Sequence, residues 1–466
     1  MQNSRMRLGQ FAFLVLICAL SSQAFAQRRL TLEEAIDLAK RQNPEIVIAR
    51  KQVEAARGGV IEARSGYLPS VVSSGLLRQR EQQEQSRLRQ DDYNASLRVV
   101  QNVYTGGAVR GNLAIARLLR EKRELELAAI VDRVTMDLRV AYYELLLNRA
   151  KIGVREQSVR VMQEELKTQR ERLAAGTVGE LNVRRAEVSL ANEQPELFDA
   201  QARLQNSYLR VDELCGLDAR THSTAPQLEI SGELRYLPRH PDLNECLAHA
   251  TATRPEMRAR QIDVEIEEQQ SIVDRSELRP RVEVFSGYEV YNERDPQVGS
   301  DLNHGYVVGL NASWHIFDGF ATRGRLQATH ARRAAAEIGL QAMQRTVEAE
   351  VRSAFFDLQQ SDRVLESETQ NVETASESLE LARGNLGAGL GTQLEVLQAT
   401  SDVTRSRSTR LSAIYLHNVA LARLGRATAR EPDSLGLVTK LPNETESKRQ
   451  TRALQMAQPP KALSNR

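Results

Sequence analysis

The sequence predicts a mainly α-helical protein built from two copies of one unit, each with a pair of β-strands and a very long helical hairpin. Three observations predict this: the sequence matches itself at a nearly constant shift, apolar residues recur at heptad spacing, and shorter segments alternate apolar and polar residues. Composition agrees, because aromatic residues make up only 5% and prolines number only 13 in 466 residues, which is typical of long helices.

The first 26 residues have the pattern of a secretory signal peptide. Arg5 and Arg7 precede a short apolar stretch, which an Ala-Phe-Ala sequence closes at Ala26. The stretch is shorter than the roughly 20 residues that span a bilayer. We therefore expect cleavage after Ala26 and export of the mature chain. Cys18 follows Ile17 rather than a small residue, which disfavours lipidation.

Export would permit a disulfide between Cys215 and Cys246. In the duplication described next, Cys246 aligns with Ala35, and such a small apolar helix position favours an unpaired, buried thiol. Sequence alone leaves the pairing open. The net charge of only +2 gives no indication of a polyanionic partner, so we expect no nucleic acid.

The duplication is visible residue by residue. A shift of 211 superimposes the start of each unit, and a shift of 213 superimposes the remainder. The matched pairs include Leu32 with Leu243, Pro44 with Pro255, Arg64 with Arg275, Pro69 with Pro280, Tyr104 with Phe317, Arg110 with Arg323, and Gly176 with Gly389. The change of shift falls between Pro69 and Leu97, which indicates a loop of variable length.

The duplication divides the chain into a first unit at 27–217, a linker at 218–240, a second unit at 241–428 and a tail at 429–466. The tail is polar and rich in proline, which predicts disorder. Each unit begins with a helix whose start carries capping residues, Thr31 in the first and Asp242 in the second. A strand hairpin and a long helical hairpin follow in each unit.

The strand hairpins are predicted at 69–104 and 280–317 from period-two alternation. In the second hairpin, Tyr306, Val308 and Leu310 face one way while Gly309 and Asn311 face the other. A barrel strand between lipid and water has this pattern, and so does a half-buried strand of a soluble sheet, so alternation alone leaves both open. Tyr306 and Trp314 lie eight residues apart on the apolar face. That spacing of about 27 Å favours membrane-interface aromatics on a tilted strand.

The long helices are predicted from a heptad pattern of apolar or small residues. From 340 to 386 these residues recur in steps that alternate three and four. At 1.5 Å per residue, some 65 residues after Gly319 make a rod about 100 Å long, and the first unit carries a similar one. Because such a rod cannot bury itself in one compact core, it must pack side by side with others. Each rod ends in a glycine-rich turn, which indicates a helical hairpin.

Over residues 30 to 428 the chain resembles the outer membrane factor family, the TolC-like exit ducts of Gram-negative bacteria. The resemblance rests on the order of several short motifs within the duplicated frame. They are Leu-Thr-Leu-Glu-Glu-Ala at 30–35, Arg-Ser-Gly-Tyr-Leu-Pro at 64–69, Tyr-Thr-Gly-Gly at 104–107, Phe-Asp-Gly-Phe at 317–320 and Leu-Glu-Val-Leu-Gln-Ala at 394–399.

The resemblance implies that each chain supplies four strands to a trimeric 12-stranded membrane β-barrel in the outer membrane. Four strands cannot close alone, because membrane barrels need at least about eight strands and tolerate no open edge in lipid. Below the barrel the helices would form a coiled-coil tunnel in the periplasm. Such ducts are passive, carry no cofactor, and work with a periplasmic adaptor and an inner-membrane pump of RND, ABC or MFS type, in tripartite efflux or type I secretion.

The resemblance also assigns roles at the far end of the helical hairpins. The turns would contact the adaptor, and a periplasmic gate would lie just beyond them. The adaptor-binding residues are Gly176, Thr177, Val178, Gly389, Leu390 and Gly391, and the gate residues are Glu395, Gln398 and Asn182. Of the gate residues only Glu395 is acidic, and Gly391 stands where some relatives carry a locking arginine, so a differently built gate is expected.

Two other function classes were weighed. An enzyme is disfavoured because the seven histidines are scattered and no nucleophile elbow, zinc-binding helix or P-loop occurs. A soluble periplasmic coiled-coil adaptor or structural protein is the alternative. Adaptors present one helical hairpin within β-domains, whereas this chain repeats strands and hairpin twice. The sequence does not indicate the cargo.

Overall fold

The computed structural model describes residues 28–81, 89–217, 228–292 and 302–435. The predicted signal peptide, positions 218–227 of the predicted linker and positions 436–466 of the predicted tail lie outside these described residues. The first unit consists of β1 (Arg28–Leu30), α1 (Leu32–Gln42), α2 (Pro44–Ser65), β2 (Ser70–Glu81), β3 (Arg89–Tyr104), α3 (Ala108–Ala174) and α4 (Glu180–Cys215). β4 (Leu228–Ile230) lies in the linker, and the second unit consists of α5 (Leu243–Thr253), α6 (Pro255–Ser276), β5 (Arg281–Asn292), β6 (Leu302–Ser313), α7 (Ala321–Gly387) and α8 (Gln393–Thr428).

Side chains at the predicted positions start the first helix of each unit. Thr31 and Glu34 form a reciprocal capping box at α1, and the Asp242 carboxylate accepts the backbone N–H of Glu245 at α5. Asn43 caps α2, whose first residue is Pro44, a residue that has no N–H to satisfy. These caps confirm the helix starts that the sequence indicated.

The duplication is repeated in the packing. Val134, Leu138 and Leu145 are buried in the core of the first unit. Their counterparts at a shift of 213, Val347, Val351 and Leu358, are buried in the core of the second. Equivalent residues therefore form equivalent cores, which is the expected result when one folding unit is duplicated.

The heptad seam of α7 is confirmed. The predicted positions between 340 and 386 are all buried or half-buried, while most intervening residues are exposed. Both α3 and α7 contain 67 residues, which at 1.5 Å per residue gives rods about 100 Å long. Each rod folds back through a short turn, and α3 packs on α4 as α7 packs on α8. The mainly helical fold class with four strands in one sheet is therefore confirmed.

The four long strands form one antiparallel sheet in the order β2-β3-β5-β6. The β3–β5 pairing, which the alternation did not reveal, joins the two hairpins into a single surface, with Leu97 opposite Tyr288. The helices attached to these strands follow in the same order, so α2, α3, α6 and α7 form one row below the sheet. The sheet and the row are continuous.

The last strand is shorter than predicted. β6 ends at Ser313, whereas the alternation extended to Ile316. The ladder ends where β5 begins, because Ser313 pairs with Arg281, the first residue of β5, and Pro280 before it has no N–H to donate. Beyond this point the Trp314 indole N–H donates to the Leu278 carbonyl at 3.0 Å. Sequence alternation continued past the strand because it records which residues are apolar, not where pairing stops.

Two features of the linker and the tail were not predicted from the sequence. β1 and β4 pair in parallel, joining the start of the chain to the linker, but three residues are too few to show a period. Residues 429–435, assigned to the disordered tail, are packed, and for them that prediction is wrong. Ala429 takes a left-handed conformation (φ 52°), and Leu435 is fully buried in the core of the second unit.

The two cysteines are unpaired. Cys215 is buried in the first core and Cys246 in the second, so no disulfide joins them. Burial raises the pKa of the Cys215 thiol to about 12 and also raises that of Cys246. Cys246 occupies the helix position equivalent to Ala35, as the duplication predicted. Along the described ranges, we find no helix whose length and apolarity would let it cross a membrane.

Candidate channel wall and tip

One face of the four-stranded sheet is apolar and exposed. The register brings Leu97, Tyr288 and Tyr306 side by side across three strands. The side chains of Tyr306 and Val308 are 90% and 75% exposed, and the Tyr306 ring meets Tyr288 edge to face at 5.2 Å. So large an apolar surface on a sheet needs a cover of lipid or protein.

The opposite face carries polar groups that bond to one another across the strands, beside the exposed Val72 and Leu76. Arg98 pairs with Glu289 and stacks on the Phe285 ring at 5.2 Å, and Ser74 and Ser96 hydroxyls lie 2.8 Å apart. On the same face, a Cβ at Gly309 would come within 2.5 Å of the Phe285 ring, so only glycine fits beneath it. The sheet therefore separates an apolar side from a polar side, as a wall between lipid and water requires.

The far ends of the rods are glycine turns. Gly176 and Gly389 have φ values of 72° and 75°, a left-handed conformation that glycine adopts freely. Thr177 is exposed and its hydroxyl donates to the Arg172 carbonyl at 3.0 Å, while Leu390 is 83% exposed. The other predicted tip residues, Val178 and Gly391, are half-buried.

Glu395 has a structural partner. It lies in the first turn of α8, where its carboxylate accepts the backbone N–H of Thr392 at 3.2 Å and its own N–H donates to the Thr392 hydroxyl at 3.4 Å. This capping box was not predicted. Glu395 and Gln398, both exposed, line a groove of about 850 Å³ between α7 and α8, together with Asp402, an acidic residue that sequence reasoning missed.

Asn182, the counterpart of Glu395, is placed differently. It is half-buried in the first turn of α4, away from that groove. Its hairpin is instead joined by Arg170, which donates to Glu187 at 2.9 Å and lowers the pKa of that carboxyl. The counterparts in the second hairpin are Arg383 and Thr400, which cannot form this bridge. The two tips are therefore built differently.

A buried polar cluster connects the two units near the tip. The Glu165 carboxylate on α3 accepts N–H groups from Gln169 at 2.7 Å and from Gln393 of α8 at 3.2 Å. Gln169 and Gln393 are only 1% and 6% exposed. Sequence reasoning missed this cluster because glutamine and glutamate inside a long helix have the composition of an exposed face.

Within the described ranges, no three His, Cys, Asp or Glu side chains come together in a way that could hold a metal ion.

Comparison with known proteins gives a consistent result. The sequence pattern of the family described as outer membrane efflux protein matches residues 35–217 and 247–430. The Bordetella pertussis protein CyaE is 24% identical over 406 residues, covering 85% of this chain and 84% of CyaE. The cobalt-zinc-cadmium resistance protein CzcC of Cupriavidus metallidurans is 24% identical over 290 residues, covering 62% of this chain and 64% of CzcC. The solved outer-membrane channel OprN shares the fold, with a TM-score of 0.74 and 20% identity over 86% of this chain and 90% of its own.

Proposed function

This chain belongs to the outer membrane efflux protein family, and we propose that it forms an outer-membrane exit duct of a Gram-negative cell. One observation carries the proposal: a single sheet with an exposed apolar face, and with polar groups bonded across the strands of its other face, continues directly into helical rods about 100 Å long. The apolar face would contact lipid, the polar face would line the water-filled passage, and the rods would extend into the periplasm.

The proposed assembly is a homotrimer. β2 and β6 each have only one neighbour in the sheet as described, so both outer edges expose unpaired backbone groups. Such edges are untenable in lipid, and membrane barrels need at least about eight strands. Pairing β6 of one copy with β2 of the next closes a 12-stranded barrel from three chains and leaves no edge.

The duct is proposed to be passive and to open by contact with partners. The exposed tip turns around Gly176 and Gly389 would receive a periplasmic adaptor, and an inner-membrane pump of RND, ABC or MFS type would drive transport. The system would serve efflux or type I secretion. The relatives of this chain include the metal-resistance protein CzcC and the proteases secretion protein PrtF of Dickeya chrysanthemi, so membership of the family does not identify the cargo of this chain.

The proposed periplasmic gate is a single ring of carboxylates. Glu395 of three copies would hold cations and repel anions at the constriction, while Gln398 and Asn182 contribute no charge. The half-buried Gly391 has no side chain with which to lock the tip. The buried cluster of Glu165 with Gln169 and Gln393 would take the place of such a lock.

Two measurements on the purified protein test the proposal. Light scattering in detergent should give the mass of a trimer, and planar bilayers should show conductance steps. Val308→Pro should abolish both, because proline on the edge strand β6 removes a donor and opposes pairing with the next copy. Val308→Thr, which keeps the backbone donor, should abolish neither. A monomer without conductance would refute the duct.

A further inference from the structure

The four helices below the sheet each carry an exposed arginine within one turn of their sheet-side end. Arg64 lies at the end of α2, Arg110 at the start of α3, Arg275 at the end of α6 and Arg323 at the start of α7. They form two repeat-related pairs, Arg64 with Arg275 and Arg110 with Arg323. We call these four residues the arginine collar.

The collar is free of carboxylate partners. Among the described residues, none of its four guanidinium groups forms an ion pair, although the same helices carry many such pairs, including Arg332 with Glu267 and Lys122 with Asp263. Other exposed arginines of the chain are also unpaired, but these four lie at the same level of the molecule, one on each helix of the row. They are available to an external anion.

The packing of the row gives the direction of the collar. On α3, Val109 packs against Gly66 at the end of α2, and Gly111 packs against Val273 of α6. Arg110, between them, must therefore point out of the plane of the row. The backbone carbonyl of Leu97 on β3 faces β5, and for an L-residue this fixes the side of the sheet on which the Leu97 side chain, and with it the apolar face, lies. The right-handed winding of α3 from Val109 to Gly111 passes through Arg110 on that same side.

The same construction applies to the other collar helices. On α7, Thr322 and Thr329 are both 1% exposed, and the Thr329 hydroxyl donates to Asp274 of α6 at 2.6 Å. Arg323 follows Thr322 by about a quarter of a turn and so points to the apolar side as well. On α6, which runs the opposite way, Val273 packs against Gly111 of α3 and Asp274 accepts from Thr329 of α7, so Arg275, one residue further along, comes round to the apolar side. Arg64 is the repeat counterpart of Arg275 and occupies the equivalent position at the end of α2. The collar therefore lies on one face, directly below the apolar surface.

Between the collar and the strands lies a belt of exposed apolar side chains. Trp314, Ile316, Phe317 and Phe320 are 59%, 78%, 71% and 65% exposed. Phe320 has a φ of 69°, a left-handed conformation that bulky residues rarely adopt. Its counterpart in the first unit is Gly107, which also has a positive φ of 103°. The strained backbone holds an exposed ring at this level. Aromatic rings followed by arginines are typical of the boundary between acyl chains and headgroups.

We propose that the arginine collar binds the phosphate groups of anionic phospholipids in the periplasmic leaflet of the outer membrane. Guanidinium groups bind phosphate oxygens in bidentate fashion, and the aromatic belt would hold the same lipids by their acyl chains. A second copy of the chain cannot be the occupant, because copies would meet along the strand edges and not on this face. The inference rests on the proposed function, since it requires the sheet to span the membrane.

Trp314 provides a site-specific test, because it is the only tryptophan in the sequence and its indole N–H is held by Leu278. The protein is reconstituted into vesicles that contain brominated phosphatidylglycerol or brominated phosphatidylcholine, whose bromines quench nearby indole fluorescence. If the collar binds anionic headgroups, phosphatidylglycerol should be preferred at the Trp314 surface by at least about fivefold, roughly the effect of one arginine at an anionic surface. Salt at 0.5 M should weaken the preference.

A matched pair of variants tests the residues. Replacing all four collar arginines by glutamine should abolish the preference. Replacing four other exposed arginines outside ion pairs, Arg160, Arg172, Arg352 and Arg363, changes the net charge equally and should preserve it. Equal quenching by both lipids in the unmodified protein would overturn the collar while leaving the duct intact. Absence of quenching by either lipid would instead refute the membrane-spanning sheet.

Discussion

Replacing Glu395 by glutamine and by alanine separates a structural role of its side chain from an electrostatic one. The carboxylate closes a capping box with Thr392 at the start of α8. Glutamine preserves that box, because its amide oxygen can accept the same N–H, whereas alanine cannot. Both substitutions remove the charge from the proposed gate. The two variants should therefore agree in ion selectivity and differ in the order of the tip.

The magnitudes follow from the geometry. The two capping bonds are long, at 3.2 and 3.4 Å, and exposed, and Glu395→Ala removes only the bond that the Thr392 N–H donates to the carboxylate, so the loss should cost α8 about 1 kcal/mol or less. For an ion about 7 Å from each of three carboxylates, Coulomb's law in water gives roughly 2 kcal/mol in total. Screening at about 0.1 M salt reduces that to roughly 1 kcal/mol. The loss of the ring should then lower the concentration of cations at the constriction about fivefold and raise that of anions by a similar factor.

Two assays read the two effects. Reversal potentials across planar bilayers under a salt gradient should shift equally in Glu395→Gln and Glu395→Ala. Hydrogen exchange in the first turn of α8 should be faster in Glu395→Ala alone, and Thr392→Ala should reproduce that change without altering selectivity. Unchanged selectivity in Glu395→Gln would refute the carboxylate ring, and equal exchange in both variants would refute the capping role.

Four further predictions concern the body of the chain. Leu358→Ala should lower the free energy of unfolding by about 3–5 kcal/mol in denaturant titrations, because Leu358 is 2% exposed; a loss below 1 kcal/mol would contradict its place in the core. Cys215 and Cys246 should not react with a thiol reagent until the protein unfolds. Burial raises the pKa of the Cys215 thiol to about 12, so its contribution to the free energy of unfolding should be complete below about pH 9 and should be lost as the pH rises toward 12. A free energy of unfolding that stays flat across that window would count against the burial. The His417 ring is fully buried and its Nε2 lies 3.0 Å from a carbonyl of the linker, so His417→Ala should speed proteolytic cleavage within 231–242, with an unchanged cleavage rate arguing against this contact. Phe320→Gly should raise the melting temperature in detergent by removing about 1 kcal/mol of left-handed strain, and a lower melting temperature would show that the ring packs inside the protein.

Periodic features of the sequence were sufficient to predict the architecture. The heptad seam of α7 is buried where its spacing indicated, from Val351 through Leu358 and beyond. The alternation of β6 separated its two faces correctly, with Tyr306 and Val308 on the exposed apolar side. Each of these patterns repeats within a few residues along one element, so the sequence carries it without reference to any other part of the chain.

Partners across the chain were not predictable in the same way. The β3–β5 pairing that unites the hairpins joins residues 191 positions apart in the sequence, as in the pair Leu97 and Tyr288. The bond between Glu165 and Gln393 joins helices of different units. The sequence around these residues does not indicate their partners, because composition and periodicity predict which face of an element is apolar but not which segment packs against it.

The duplication, the rods and the two-sided strands were therefore determined by the sequence alone, since each follows from a local period repeated many times. The tertiary structure decided the arrangement of the single residues: the capping of α8 by Glu395, the burial of Leu435 in the second core, and the alignment of Arg64 with Arg323 on one face. These depend on the direction of each helix and on its neighbours. The sequence around a polar residue of a helix is similar whether that residue is exposed or packed against another segment, so only the packing of distant segments determines its role.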